Sequence, residues 1–158
     1  MRDRENKRLW LSQEKYIKKV LDRFNMKDAK PIGTPLAAHF NLSAELCLSD
    51  DKEKEEMSKI PYASTVGSFM YAMVCTRPNI SYSVGVVRRF LANPGKQHWQ
   101  AVKWIFEYLK CTSHYLLFFF HYETMPEGFT DADMVGDIDT RNSTTGYLYT
   151  FLGATVSW

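Results

Sequence analysis

The chain has 158 residues, of which 45% are apolar and 15% are aromatic. These fractions allow a hydrophobic core and exclude a largely disordered chain. The formal charge of +2 excludes a strongly basic protein, so nucleic-acid binding would require cations concentrated on one surface.

The cysteines and the apolar runs restrict the compartment in which the chain is expected. Cys47, Cys75 and Cys111 form no C-x-x-C pair, so the sequence predicts neither a zinc ribbon nor a disulfide framework. We therefore expect a reducing intracellular compartment, the cytoplasm or the nucleus. The continuous apolar run at residues 115–120 is far shorter than the roughly 20 residues of a membrane-spanning helix.

The first predicted element is an amphipathic helix that begins after Ser12, a suitable N-cap. Apolar residues recur at helical spacing on one face: Tyr16, Ile17, Val20, Leu21 and Phe24. The opposite face carries the cations Lys15, Lys18, Lys19 and Arg23. Such a row can lie along a phosphate backbone, or it can be the solvated back of the helix. The spacing leaves both interpretations open.

Two segments around the helices read as connections. Residues 25–40 contain Pro31, Gly33 and Pro35, which predict a loop. Residues 45–56 are strongly charged and predict an exposed linker with a helical end. An acidic binding tail is the alternative interpretation of this second segment.

Three further helices are predicted between residues 61 and 110. The first begins at Pro61 and carries the apolar stripe Tyr62, Val66, Phe69, Met70, Met73 and Val74. After a break at Arg77-Pro78, the second buries Ile80, Val84, Val87 and Leu91. The third spans about residues 97–110 and buries Ala101, Val102, Ile105, Tyr108 and Leu109. Lys96, Lys103 and Lys110 share one face of this helix. As for the first helix, this face can contact a nucleic-acid backbone or can simply be exposed to solvent.

After Cys111 the pattern changes from helices to strands. Strands are predicted at residues 115–120, 129–134, 146–152 and 155–158. Segregated helices and strands indicate the α+β class. We predict a helical region over residues 1–111, with the charged linker at 45–56, and a three-stranded antiparallel sheet within residues 112–158.

One acidic cluster has the composition of a metal site. Asp131, Asp133, Asp137 and Asp139 fall in the sequence DADMVGDID. On a strand, Asp131 and Asp133 would share a face about 7 Å apart, and Mg²⁺ prefers such oxygen ligands. Calcium is disfavoured because the positions of an EF-hand loop are not matched. A D-x-D pair of a sugar-nucleotide transferase, or a polar turn with incidental acids, remains possible from the spacing alone.

Four segments in order resemble copia-type retrotransposon Pol polyproteins, of the kind found in tobacco-transposon-like elements. They are residues 11–36 (LSQEKYIKKV…), 61–90 (PYASTVGSFM…), 93–113 (NPGKQHWQAV…) and 128–158 (GFTDADMVGD…). The resemblance implies the C-terminal part of a reverse transcriptase followed by the start of a ribonuclease H. Residues 1–111 would be the thumb and connection helices, which hold the primer–template duplex.

The resemblance also implies roles for individual residues. Lys15, Lys19, Arg23 and Lys103 would contact the backbone of an RNA–DNA hybrid or a DNA duplex, weakly and without sequence preference. Asp131, in the family's Tyr-Thr-Asp-like context, would be the first catalytic carboxylate of ribonuclease H and a Mg²⁺ ligand. Asp133 would be its weaker companion.

Family enzymes are RNA-directed DNA polymerases and ribonucleases H that use Mg²⁺. Here the polymerase motif Tyr-x-Asp-Asp does not occur, and the remaining ribonuclease H ligands are expected beyond Trp158. We therefore expect the chain alone to catalyse neither reaction and to bind no Mg²⁺ tightly. We also expect self-association through residues 115–134, because the strand of Asp131 would lack one neighbour.

Three functions follow from these observations. The first is a fragment of a reverse transcriptase–ribonuclease H polyprotein with residual duplex affinity. The second is a non-enzymatic protein-interaction module whose helices dock a partner. The third, which the sequence disfavours, is a complete metal-dependent nuclease.

Overall fold

The computed structural model describes residues 1–120, 125–133, 139 and 141–158. Over these residues it has five α-helices and two three-stranded antiparallel sheets, which confirms the α+β class. The chain divides into a helical unit, residues 14–113, and a strand unit, residues 1–13 with 114–158. The predicted division after residue 111 had assigned residues 1–13 to the helices. In the structure these residues belong to the strand unit, because residues 8–12 pair with residues 116–120.

The helical unit contains all five helices: α1 Glu14–Arg23, α2 Asp51–Ser58, α3 Tyr62–Thr76, α4 Ser81–Arg88 and α5 Lys96–Cys111. Pro61 stands at the N-cap of α3, and Pro78 opens a 3-10 turn, Pro78–Ile80, that separates α3 from α4. The four predicted helices are therefore confirmed. Ser12, the expected N-cap of α1, is the last residue of the preceding strand and stands two residues before the helix begins.

The core of the helical unit lies between α1, α3, α4 and α5. Every residue predicted to be buried in α5 is buried. Two other predictions are wrong, since Val74 is 66% exposed and Leu91 is 41% exposed. At 100° per residue, Val74 falls on the side of α3 opposite its buried stripe. Leu91 lies beyond the end of α4, where Phe90 enters the core in its place.

The charged segment 45–56 is more ordered than a linker. It contains a 3-10 turn, Ala44–Leu46, and the start of α2, whose N-cap Asp50 accepts a hydrogen bond from the backbone N–H of Lys52 at 3.4 Å. Most of its side chains are exposed, as predicted, but Leu48 and the following Met57 are buried. These two apolar residues hold the segment against the helical unit.

The strand unit has two sheets, each with strands in sequence order. The first consists of β1 Arg2–Asp3, β2 Arg8–Ser12 and β3 Leu116–Phe120. The second consists of β4 Glu127–Asp133, β5 Thr144–Phe151 and β6 Ala154–Ser157. The sequence predicted β3 to β6 but missed β1 and β2. Trp10 of β2 stacks on Phe118 of β3 with ring centroids 5.3 Å apart.

The turn between β5 and β6 shows why glycine stands at position 153. Leu152 and Gly153 form this two-residue connection, and both have positive φ, 51° and 75°. Two positive φ values are characteristic of the type I′ turn, whose twist matches that of a hairpin. A Cβ at Gly153 would also lie 2.7 Å from the ring of Phe120. Any other residue here would strain the turn and displace that ring.

Candidate nucleic-acid interface

Helix α1 is fixed to the core by one face and exposes cations on the other. Ile17, Val20 and Leu21 are buried, and the Tyr16 hydroxyl donates a hydrogen bond to the Ser68 carbonyl of α3 at 3.2 Å. Lys15, Lys18, Lys19 and Arg23 are exposed, as the spacing predicted. The helix therefore presents its cations from a backbone that is held in place.

The four cations of α1 differ in what they already contact. Lys18 forms an ion pair with Glu14 at 2.6 Å. The Arg23 guanidinium donates to the Ser64 hydroxyl at 3.2 Å and lies 5.3 Å from the centroid of the Phe24 ring. Lys15 and Lys19 form no ion pair within the part of the chain that the structure describes. Their ammonium groups are the ones most free to meet a phosphate.

The three lysines of α5 do not form a uniform stripe. Lys96 lies 3.3 Å from a carboxylate oxygen of Glu53 and 3.4 Å from one of Glu56, and its hydrogen bond to Glu53 raises the pKa of the ammonium group. Lys110 donates to the carbonyl of Ala29 at 2.8 Å. Both lysines therefore have partners inside the protein.

Lys103 is the remaining cation of the α5 row, and it has no partner among the described residues. It lines a cavity of about 470 Å³ with His39, Phe40, Gln97, Gln100, Trp104 and Glu107. Sequence reasoning missed the aromatic members of this cavity. The sequence could have indicated only the part of the lining that lies on α5. The spacing of three and four residues places Gln97, Gln100, Trp104 and Glu107 on one face of this helix.

The predicted carboxylate site belongs to the strand unit. Asp131 is exposed on β4, opposite Gly146 of β5, and Asp133 pairs with Thr144 two residues further along the strand. Asp137, the third acid of the cluster, lies outside the described residues.

Potential metal ligands do not cluster in the part of the chain that the structure describes. Among residues 1–120, 125–133, 139 and 141–158, no three His, Cys, Asp or Glu side chains converge on one point. A divalent ion held by one exposed carboxylate keeps most of its water.

None of the described helices has the length and apolar character needed to cross a membrane.

Comparison with known proteins connects the whole chain to mobile elements. It is 59% identical to the retrovirus-related Pol polyprotein from transposon TNT 1-94 of Nicotiana tabacum, over 158 residues that are 100% of this chain. It is 37% identical over 153 residues, 95% of the chain, to the corresponding polyprotein from transposon RE1 of Arabidopsis thaliana. The chain belongs to the family of retrovirus-related Pol polyproteins from transposons.

The chain spans only 12% of the tobacco Pol polyprotein and 10% of the Arabidopsis one. A protein of Plasmopara viticola, named secreted RxLR effector protein 161, is 45% identical over 103 residues, which are 65% of this chain and 72% of that protein. No protein-family model and no solved structure matches the chain. The expected resemblance to transposon Pol polyproteins is confirmed.

Proposed function

We propose that this segment of a Pol polyprotein carries the C-terminal helices of a reverse transcriptase and the first strands of a ribonuclease H, and that its helical unit contacts a nucleic-acid duplex. The order β4-β5-β6, with Asp131 on the first strand, supports the ribonuclease H part, because the resemblance implies that arrangement. The observation that carries the duplex contact is that Lys15 and Lys19, on a helix packed into the core, form no ion pair with any residue that the structure describes.

Lys15 and Lys19 are suited to backbone contact by their spacing. One helical turn separates them, so their Cβ atoms lie about 5–6 Å apart on the same face. Two flexible ammonium groups at that separation can reach neighbouring phosphates of one strand. Such contacts neutralise phosphates and release counterions, which makes the binding salt-dependent and independent of base sequence. Arg23, one turn further on, extends the same row.

We do not propose that this segment alone is catalytic. The sequence has no Tyr-x-Asp-Asp, and two-metal phosphoryl transfer needs several carboxylates that hold both ions against the scissile phosphate. We expect no Mg²⁺-dependent cleavage of an RNA–DNA hybrid by the purified chain. Cleavage that is abolished by Asp131→Asn would contradict this expectation and would restore the nuclease hypothesis.

The duplex contact is tested by charge reversal at two matched positions. The variant Lys15→Glu/Lys19→Glu changes the proposed contact, while Lys52→Glu/Lys54→Glu makes the same change of charge on the exposed helix α2. Fluorescence anisotropy with a labelled blunt RNA–DNA hybrid should show affinity lower by about tenfold or more for the α1 variant.

The control variant should bind within about twofold of the unmodified chain, since distant surface charges are largely screened at physiological salt. Equal losses in both variants would show that only net charge matters and would contradict the assignment to α1. No binding of the hybrid by the unmodified chain, together with capture of a protein partner, would favour the interaction-module hypothesis.

A further inference from the structure

An aromatic corner beside α5 is the second feature of the helical unit that could receive a ligand. It is formed by His39 and Phe40 of the loop before α2 and by Trp104 of α5. The rings of His39 and Phe40 are 4.5 Å apart and inclined by only 34°. Both stand almost perpendicular to Trp104, at 84° and 78°, with centroid distances of 5.6 and 5.7 Å. Together they make two walls that meet at nearly a right angle.

The aromatic corner is held in place before any ligand arrives. The Trp104 indole N–H donates to the carbonyl of Thr34 at 2.9 Å, which fixes the orientation of the ring. The N–H of Phe40 donates to the carbonyl of Ala37 at 3.1 Å, and the next apolar residue, Leu42, is buried. A ligand would therefore lose little affinity to ordering the site.

The polar groups around the corner define the chemistry of an occupant. Lys103 has no partner among the described residues, and no ion pair joins it to Glu107 one turn later. Gln97 and Gln100 add amide donors and acceptors on the same side of the cavity. The site thus offers flat apolar rings, one cation, one carboxylate and two amides.

We infer that the aromatic corner binds an unpaired nucleotide of a single-stranded nucleic acid, with the base stacked on the rings and a flanking phosphate at Lys103. Bases stack on aromatic side chains irrespective of sequence, because every base has a π-face. Glu107 repels phosphate and so directs it toward Lys103, while its oxygens can accept from an exocyclic amino group or a ribose hydroxyl. A methylammonium ligand fits less well, because Lys103 borders the same cavity.

This inference rests on the proposed function and extends it from duplex to single-stranded template or primer. The cavity of about 470 Å³ is within the range of sites that hold small ligands, so one nucleotide can enter it. The duplex contact uses Lys15 and Lys19, whereas the single-strand contact uses the aromatic corner and Lys103. The two contacts can therefore fail independently.

The experiment compares two probes of about ten nucleotides, a length that single-strand binding surfaces commonly cover. One is a labelled oligodeoxyadenylate, and the other is an abasic strand with the same number of phosphates. The unmodified full chain should bind the base-bearing strand about tenfold more tightly than the abasic strand. His39→Ala should remove most of that difference, and Lys103→Gln should weaken both probes similarly.

Two further variants control for folding and for general aromatic loss. Trp104→Phe keeps a stacking face and should retain most of the difference between the probes, whereas Tyr82→Ala removes an exposed aromatic that does not line the cavity and should change nothing. Equal affinity for both probes, or equal losses in His39→Ala and Tyr82→Ala, would overturn the inference. If the blunt hybrid still bound through α1, the proposed function would stand. If the single strand bound and the blunt hybrid did not, the duplex proposal alone would fail.

Discussion

Truncation of Phe106 is the perturbation that tests the core of the helical unit most severely. Phe106 of α5 is fully buried. Its ring lies 5.5 Å from that of Phe24, beside α1, and 4.7 Å from that of Phe69 in α3, the latter in an edge-to-face arrangement. Replacement by alanine removes the transfer free energy of the ring and both aromatic contacts, and it leaves a cavity. Phe→Ala changes of this kind cost about 3–5 kcal/mol.

A loss of about 4 kcal/mol is a large part of the roughly 5–15 kcal/mol that stabilises a domain. With a urea m-value of about 2 kcal/mol per molar, Phe106→Ala should lower the unfolding midpoint by about 2 M in circular dichroism. Phe106→Leu keeps most of the volume and should cost about 1–1.5 kcal/mol. Tyr82→Ala, at a side chain that is 63% exposed, should change stability by less than about 0.5 kcal/mol. Equal midpoints for Phe106→Ala and Tyr82→Ala would refute the packing of α1 and α3 on α5.

Three other predictions concern a buried phenol, a glycine and a sheet edge. Burial raises the pKa of Tyr62 in the folded state. The stability associated with its neutral form is fully present below about pH 10, the pKa of the unfolded phenol. It is lost as the pH rises further, because the unfolded chain gives up this proton first. Urea titrations should therefore show a shallower alkaline decline for Tyr62→Phe, and parallel declines would contradict this. Gly95→Ala should cost about 1–3 kcal/mol by thermal unfolding, because its Cβ would overlap the backbone oxygen of Leu46; an unchanged Tm would count against that close approach. Residues 115–134 are predicted to mediate self-association through the edge strand β4. Light scattering at a protein concentration on the order of tens of micromolar should therefore show oligomers, and Phe129→Lys should reduce them. A monodisperse monomer would argue against this.

The helices could be predicted because their patterns are local. The period of a helix is visible in the spacing of Tyr16, Ile17, Val20 and Leu21. Proline at Arg77-Pro78 interrupts the next helical pattern whatever the tertiary contacts are. Near the end of a helix, the spacing predicts less well which apolar residues are buried. Leu91 fits the spacing of the preceding residues, but α4 ends at Arg88 and the turn brings Phe90 inward instead.

The pairing of β2 with β3 could not be predicted because it is not local. Residues 8–12 are a short run directly before a helix, and their partners, residues 116–120, come after the whole helical unit in the sequence. No turn signal joins these two strands in the sequence, so neither pattern reveals the other.

The candidate interface shows the same distinction between local spacing and tertiary neighbours. Helical periodicity was sufficient to place Lys15 and Lys19 on the outer face of α1. It also placed Lys96 and Lys110 on one face of α5, but it could not show that Glu53 and a loop carbonyl already engage them. The aromatic corner depends on His39 and Phe40, which come from a loop with no periodicity. Only the fold brings them to Trp104.

The salt dependence of binding to a blunt RNA–DNA hybrid tests the proposed role of α1 most directly. The logarithm of the association constant should fall linearly with the logarithm of salt concentration, with a slope of about −0.9 for each phosphate contacted. Neutralising both lysines, in Lys15→Gln/Lys19→Gln, should reduce the magnitude of that slope by up to about 1.8, whereas Lys52→Gln/Lys54→Gln should leave it unchanged. An unchanged slope in the α1 variant, or the same reduction in both variants, would contradict a duplex contact at this helix.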